Sequence, residues 1–223
     1  MINASLLATL EAGLAEMQLQ IAADKREKLV AYVLLIHKWN MVHNLTAVRD
    51  PLEMVTLHLL DSLSVLPHIQ KADGAEAKYL LDVGAGAGLP SIPLAICLPE
   101  LQVTAIDSVQ KKASFMRQAK GELGLTNFHV EAGRVEALKK DHLFDVIISR
   151  AFSEIGLFIK LTRHLLAQDG QWLAMKGVQP DAELADLKAL QLDIQVTKSL
   201  PLHVAGLHAE RHLVFLHPPI FTK

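Results

Sequence analysis

Asp82, Gly84, Gly86, Gly88, Leu89 and Asp107 have the types and spacing to hold a ligand. They sit in and after the stretch LLDVGAGAGLPSIPLAI (80–96), where an apolar run ends in an aspartate, three glycines follow at alternate positions, and a proline opens a new apolar pattern. That order predicts a strand, a tight loop and a helix start. A phosphate-binding P-loop needs Gly-Lys-Ser/Thr at the end of the loop, and here Gly88 is followed by Leu89 and Pro90. A dinucleotide fingerprint needs a third glycine at position 89, which is leucine, so that fit is poor.

The G-x-G-x-G spacing is that of class I S-adenosylmethionine-dependent methyltransferases. Their ligand carries no phosphate, so the glycines serve to let the backbone approach its methionine portion with no Cβ in the way. Asp82 is expected to face the ligand's ammonium group. Asp107 ends the next apolar run, VTAID, about twenty residues after the loop, where a carboxylate accepts hydrogen bonds from both ribose hydroxyls.

The elements that must position these residues follow from periodicity. Strands are predicted over 79–83, 102–106, 127–131, 144–149, 170–175, 192–199 and 211–217, with helices over 90–98, 108–123, 153–167 and 181–191. Strands separated by helix-length crossovers make an α/β fold with a mostly parallel, doubly wound sheet of seven strands; the last two have no helix between them, so one is antiparallel. Residues 5–66 carry helix signals only. Leu6, Leu10, Leu14 and Met17 recur at helical spacing, Asp24 and Glu27 form a capping-box pattern, and Leu29, Val33, Ile36 and Trp39 mark one face. Asp50, Pro51 and Glu53 start a further helix whose stripe runs Leu52, Val55, Leu59, Leu63 and Leu66. The division is an N-terminal helical cap over 1–67, a linker over 68–78 and a ligand-binding core over 79–223.

Composition bounds the partners. The 223 residues are 51% hydrophobic, enough for one sizeable core. With 22 basic and 24 acidic side chains the formal net charge is -2, so no global field draws the chain onto nucleic acid and any such partner must meet a local patch. One cysteine excludes an internal disulfide framework and fits a reducing compartment. No apolar run approaches the ~20 residues of a membrane helix, and the N-terminus is an acidic amphipathic pattern rather than a basic leader. A cytoplasmic protein without a membrane partner is expected.

Further motifs carry a resemblance. The chain resembles the small-subunit ribosomal RNA methyltransferase G family, also called glucose-inhibited division protein B, through WNMVHNLTAVRDP (39–51), HLLDSL (58–63), the glycine loop, ISRAF (148–152), MKG (175–177) and ERHLVFL (210–216). The resemblance covers nearly the whole chain. It implies a class I, Rossmann-like methyltransferase core, S-adenosyl-L-methionine as cofactor with S-adenosyl-L-homocysteine as product, and transfer of a methyl group to N7 of guanine 527 in the 530 loop of 16S rRNA. By position it implies cofactor contacts at Gly84, Leu89, Val135, Glu136 and Arg150, beside Asp82, Gly86, Gly88 and Asp107 from the loop chemistry. Ser91 and Leu57 depart from the family, which usually has glycine and often arginine there.

Guanine N7 has a lone pair and no proton, so transfer needs no general base and the enzyme's task is orientation, which can supply roughly 7–11 kcal/mol. No catalytic acid–base residue is therefore expected; the substrate-side candidates are Arg150, Lys176 and His58. A guanidinium against N7 would oppose the forming cation, so Arg150 is expected on the cofactor carboxylate or an RNA phosphate. Ser149-Arg150-Ala151-Phe152 stands where amino-group methyltransferases carry Asn/Asp-Pro-Pro-aromatic. Lys111, Lys112, Arg117, Lys120, Lys176 and Arg211 are candidate RNA contacts, the α-helical ones equally readable as a solvated face. His58 and Asp61, three apart, are expected to share a surface hydrogen bond or a substrate contact. Cys97 is expected to be buried. His203, His208 and His212 show no metal-ligand spacing, and no metal is expected. Near-neutral charge favours guanine presented in the 30S subunit or an assembly intermediate, with a monomer as the simplest state. A small-molecule methyltransferase and a cofactor-sensing regulator are the alternatives.

Overall fold

The computed structural model describes residues 2–150, 152, 154–189 and 194–219. Helix α1 (Ile2–Glu16) buries Leu6, Leu10 and Leu14, and α2 (Ala23–His43) buries Leu29, Val33 and Ile36, as their spacing predicts. The capping box does not form: α2 begins at Ala23, so Asp24 lies inside the first turn, where its charge complements the helix dipole, and no side chain caps the end. Trp39 is half-buried and meets the edge of Phe115 with ring centres 5.4 Å apart, which fastens α2 to the core.

The next predicted helix is three pieces. Asp50 accepts from the Leu52 amide (2.9 Å) and starts α3 (Pro51–Met54). A π-helical turn, Val55–Leu60, leads into α4 (Asp61–Leu63). The wider turn slips the apolar stripe, so Val55, Leu59 and Leu63 stay buried while Leu52 is exposed and Met54 and Leu60 enter the core. Helix α1 packs closely here: a Cβ at Gly13 would collide with the Leu60 side chain.

Strands β1 (Tyr79–Val83), β2 (Gln102–Asp107), β3 (Phe128–Ala132), β4 (Phe144–Ser149), β5 (Leu166–Lys176), β6 (Gln195–Pro201) and β7 (His212–His217) form one sheet in the order β3-β2-β1-β4-β5-β7-β6. Strand β7 is the antiparallel one, against both β5 and β6. Helices α5 (Ser91–Cys97), α6 (Gln110–Leu123), α7 (Ile155–Thr162) and α8 (Asp181–Ala189) complete the crossovers. The helix predicted over 153–167 stops at Thr162, and β5 starts at Leu166. Gly170 lies within 3 Å (at an added Cβ) of the Phe144 carbonyl, beside the register shift between Phe144 and Val146, so the strand can run on past that irregularity. The predicted ends at 190–193, and Ala151 of ISRAF, lie outside the described residues.

Strand order reverses between β1 and β4, so a ligand crevice belongs at the carboxyl ends of these two strands. One apolar cluster joins α1, α2, α5 and α6 to one face of the sheet; a second, with Phe158, Ile159 and Trp172, covers the other. Residues 68–78 are pinned at the opposite edge, where Lys71 bridges to Asp169 (2.8 Å) and Asp145 accepts from the Lys78 and Tyr79 amides (2.8 and 2.9 Å). Among the described residues no helix is long and apolar enough to cross a membrane.

Candidate active site

The glycine loop is knotted to the tip of β2. The amides of Gly84 and Ala85 donate to the Ile106 carbonyl (2.9 and 3.2 Å). Asp107 accepts from the Gly86 amide on Oδ2 (2.9 Å) and from the Val109 amide on Oδ1 (2.8 Å). A carboxylate has about four acceptor positions, so each oxygen keeps one for a ligand hydroxyl. Gly84 and Gly86 have φ of 71° and 63°, and a Cβ on either would project into open space. Gly88 differs from the expectation: its Cβ would strike Ile92 at 2.5 Å, so that glycine allows the loop to pack on α5 rather than making room for a ligand.

Asp82 is fully buried, and its Oδ2 accepts from the Ser91 amide (3.1 Å) at the start of α5. It anchors the start of α5 through Oδ2, while its buried Oδ1 has no hydrogen-bond partner among the described residues. Burial pushes its pKa up to about 6, against the pull of its hydrogen bonding to Ser91. Ser91 is itself buried in the first turn of α5. Leu89 is buried, and Tyr32 donates to the Ala87 carbonyl (2.6 Å), holding the loop from the side of α2.

A cavity of about 260 Å³ opens at these strand tips, lined by Gly84, Asp107, Ser108, Val135, Glu136 and Phe152 among others. The structure thus gathers Gly84, Asp107, Val135 and Glu136, while Gly86 reaches them through its bond to Asp107. Open space over two glycines, a carboxylate with spare acceptor positions and an apolar wall at Val135 fit an adenosyl ligand. The sequence assigns no site role to Ser108 or to Phe152 of ISRAF; the signal for both is position, just after the tips of β2 and β4.

A second cavity, about 330 Å³, is lined by Asp61, Arg150, Met175, Lys176, Gly177 and Arg211. Arg150 lines this cavity and not the first. Its Nη1 donates to Asp61 Oδ2 (3.0 Å) and to the Leu57 carbonyl (3.2 Å). Arg211 Nε donates to Asp61 Oδ1 (2.8 Å). Lys176 donates to both carboxylate oxygens of Glu183 (2.9 and 2.8 Å) and to the Phe152 carbonyl (3.1 Å). Phe152 thereby links the two cavities. The expected surface contact between His58 and Asp61 is absent. Both are buried, the π-helical turn changes their relative facing, Asp61 serves the two arginines, and His58 Nε2 lies 2.9 Å from the Thr46 hydroxyl. Burial lowers the pKa of His58, against the pull of the Leu57 backbone. Asn40 holds the loop before α3 by donating to the Val48 carbonyl and accepting from the Thr46 amide, both at 2.9 Å.

The basic residues of α6 spread along its length. Lys112 lies 3.8 Å from Asp107, whereas Lys120 is about 13 Å further along the axis than Lys111 and acts electrostatically on His129 at the start of β3. Arg117 is exposed between them. Cys97 is buried, which pushes its thiol up to about 12. Among the described residues no group of His, Cys, Asp and Glu could hold a metal ion.

Comparison with known proteins places this geometry. The family described as rRNA small subunit methyltransferase G matches residues 25–214. A protein of Methylobacillus flagellatus named Ribosomal RNA small subunit methyltransferase G is 60% identical over 207 residues, 93% of this chain and 96% of that protein. One of the same name from Aromatoleum aromaticum is 51% identical over 213 residues, 94% of this chain and 97% of that protein. Among solved structures, the glycopeptide N-methyltransferase MtfA complexed with (S)-adenosyl-L-methionine superposes with a TM-score of 0.59 at 13% identity, over 72% of this chain and 87% of that one. TrmN from Thermus thermophilus gives 0.56 at 18%, over 74% of this chain and 53% of that one. The shared fold is that of class I methyltransferases.

Proposed function

The chain belongs to the rRNA small subunit methyltransferase G family, and from that premise we propose that it methylates N7 of guanine 527 in the 530 loop of 16S rRNA, with S-adenosylmethionine as methyl donor. The observation that carries this reading is the pair of cavities on the tips of β1, β2, β4 and β5. One has the shape and acceptors for an adenosyl ligand, the other is lined by three cations, and Phe152 lies between them.

Bound in the first cavity, S-adenosylmethionine supplies an electrophilic methyl group on a sulfonium. Asp107 accepts from the ribose hydroxyls, Val135 and Glu136 flank the adenine, and Gly84 and Gly86 leave room for the methionine portion. Arg150, Lys176 and Arg211 hold the RNA. The target N7 presents a lone pair and no proton, so no side chain needs to act as a base; orientation does the work. The Arg150 guanidinium is held by Asp61 and the Leu57 carbonyl, which keeps its charge from pressing on the purine as N7 becomes cationic.

The net charge of -2 supports a target presented within the 30S subunit or an assembly intermediate, where folded RNA supplies the selection that a weak general field does not. Incubating the protein with radiolabelled S-adenosylmethionine and either unmodified 16S rRNA or 30S particles tests the reading. Label in RNA is expected, more of it on particles. Tight cofactor binding with no label on either substrate would replace this function with a small-molecule methyltransferase or a cofactor-sensing regulator.

A further inference from the structure

Asp61 does more than restrain Arg150: it is 1% exposed and carries both arginines of the second cavity. Each oxygen of its carboxylate takes one guanidinium: Oδ2 from Arg150 at 3.0 Å and Oδ1 from Arg211 at 2.8 Å. These three residues come from α4, the tip of β4 and the segment entering β7, so only the fold brings them together. We propose that Asp61 is a positioning residue that sets Arg150 and Arg211 side by side as a seat for one phosphodiester of the RNA substrate. The proposal rests on the RNA-methylating function above.

A lone counter-ion would neutralise one cation. Two guanidiniums on one buried carboxylate leave a net positive charge at the cavity wall. The arginine side chains are 27% and 25% exposed, so they are not sealed in. Among the described residues Arg150 keeps Nε and Nη2, and Arg211 keeps Nη2, without a hydrogen bond, while the donors that are used go to Asp61, Leu57 and Glu210. Planar forks held at a fixed separation match the two non-bridging oxygens of a phosphate. Lys176, fixed by Glu183, adds a third cation to the same wall. The cofactor's own carboxylate is the competing occupant: Arg150 acts electrostatically on Asp82 behind the glycine loop, although none of these cations lines the cavity at Asp107.

Asp61→Asn separates this role from simple charge balance, because it removes a negative charge from a cationic wall. If Asp61 only offsets charge, the variant binds RNA as well as wild type or better, with a steeper salt dependence. If Asp61 positions the arginines, affinity for unmodified 16S rRNA and 30S particles falls about tenfold, and the slope of log K against log salt becomes shallower by about 0.7. Cofactor affinity stays within about twofold in that case. A variant equal to or better than wild type on RNA overturns the proposal, as does a loss confined to the cofactor, which would assign the seat to a carboxylate. Should Asp61→Asn fail to fold, Arg150→Gln, Arg211→Gln and the double variant decide the matter. One shared seat makes the double variant little weaker than the worse single; additive losses overturn it. Wild-type protein that binds neither RNA removes the functional reading itself, a result distinct from all of these.

Discussion

The two cavities at the strand tips are built in opposite ways. The floor of the cavity at Asp107 is made of segments close in sequence, β1, its loop and the tip of β2, tied by hydrogen bonds to Ile106 and Asp107, with Val135, Glu136 and Phe152 as its walls. The cavity at Arg150 is made of residues at positions 61, 150, 176 and 211, tied by side-chain ion pairs. A backbone-built site is stiff and indifferent to salt, which suits a small ligand held in one pose. A site of partnered guanidiniums is strong through charge and open to exchange, which suits a polyanion that must arrive and leave.

Substitution in the stiff half should cost most. Gly86→Val places a branched residue at φ 63° and fills the open space beside Asp107, so cofactor affinity measured by calorimetry should drop about a hundredfold or more. RNA binding should change little. A loss of both alike would mean that the loop supports the two cavities together.

Asp82 tests whether the loop is anchored from behind. Its folded pKa of about 6 lies above the ordinary 3.8, so the stability it contributes is fully present below about pH 4 and is lost as pH rises through about 6. Asp82→Asn does not titrate. Over that window the wild type should therefore lose on the order of 1–3 kcal/mol relative to the variant, read from denaturation midpoints. A difference that stays flat with pH would contradict the burial of an unshared proton site there.

On the other side, Arg150→Ala should raise the KM for RNA about tenfold while leaving cofactor affinity within twofold. A fall in kcat alone, with both KM values unchanged, would move Arg150 to the reacting atoms.

This contrast also explains what the amino-acid sequence discloses. The cofactor half is legible because its signals are local: a strand ending at Val83, glycines at alternate positions, an acid at the next strand tip. Strand β4 and the antiparallel close of the sheet follow from simple alternation and from the missing crossover. The contacts of Asp82 and Gly88 with α5 are not legible in the sequence for one reason. Spacing shows that a residue is near the loop, but only packing against α5 decides which side of it the residue serves. The π-helical turn is hidden because Leu52, Val55, Leu59 and Leu63 fit an ordinary helix, whereas the structure seats Leu60 of that turn closely against Gly13 of α1. Asp61 was invisible as the partner of two arginines, since the pairings span 89 and 150 residues, and ion pairs leave no periodicity.

The central claim is an atom on one base, and mapping that atom tests it most directly. RNA methylated by the protein is treated to cleave the chain at N7-methylguanine, and the break is located. A single cleavage at guanine 527 of 16S rRNA is the expected result. Methyl groups on an exocyclic amine, or at several unrelated guanines, would contradict it.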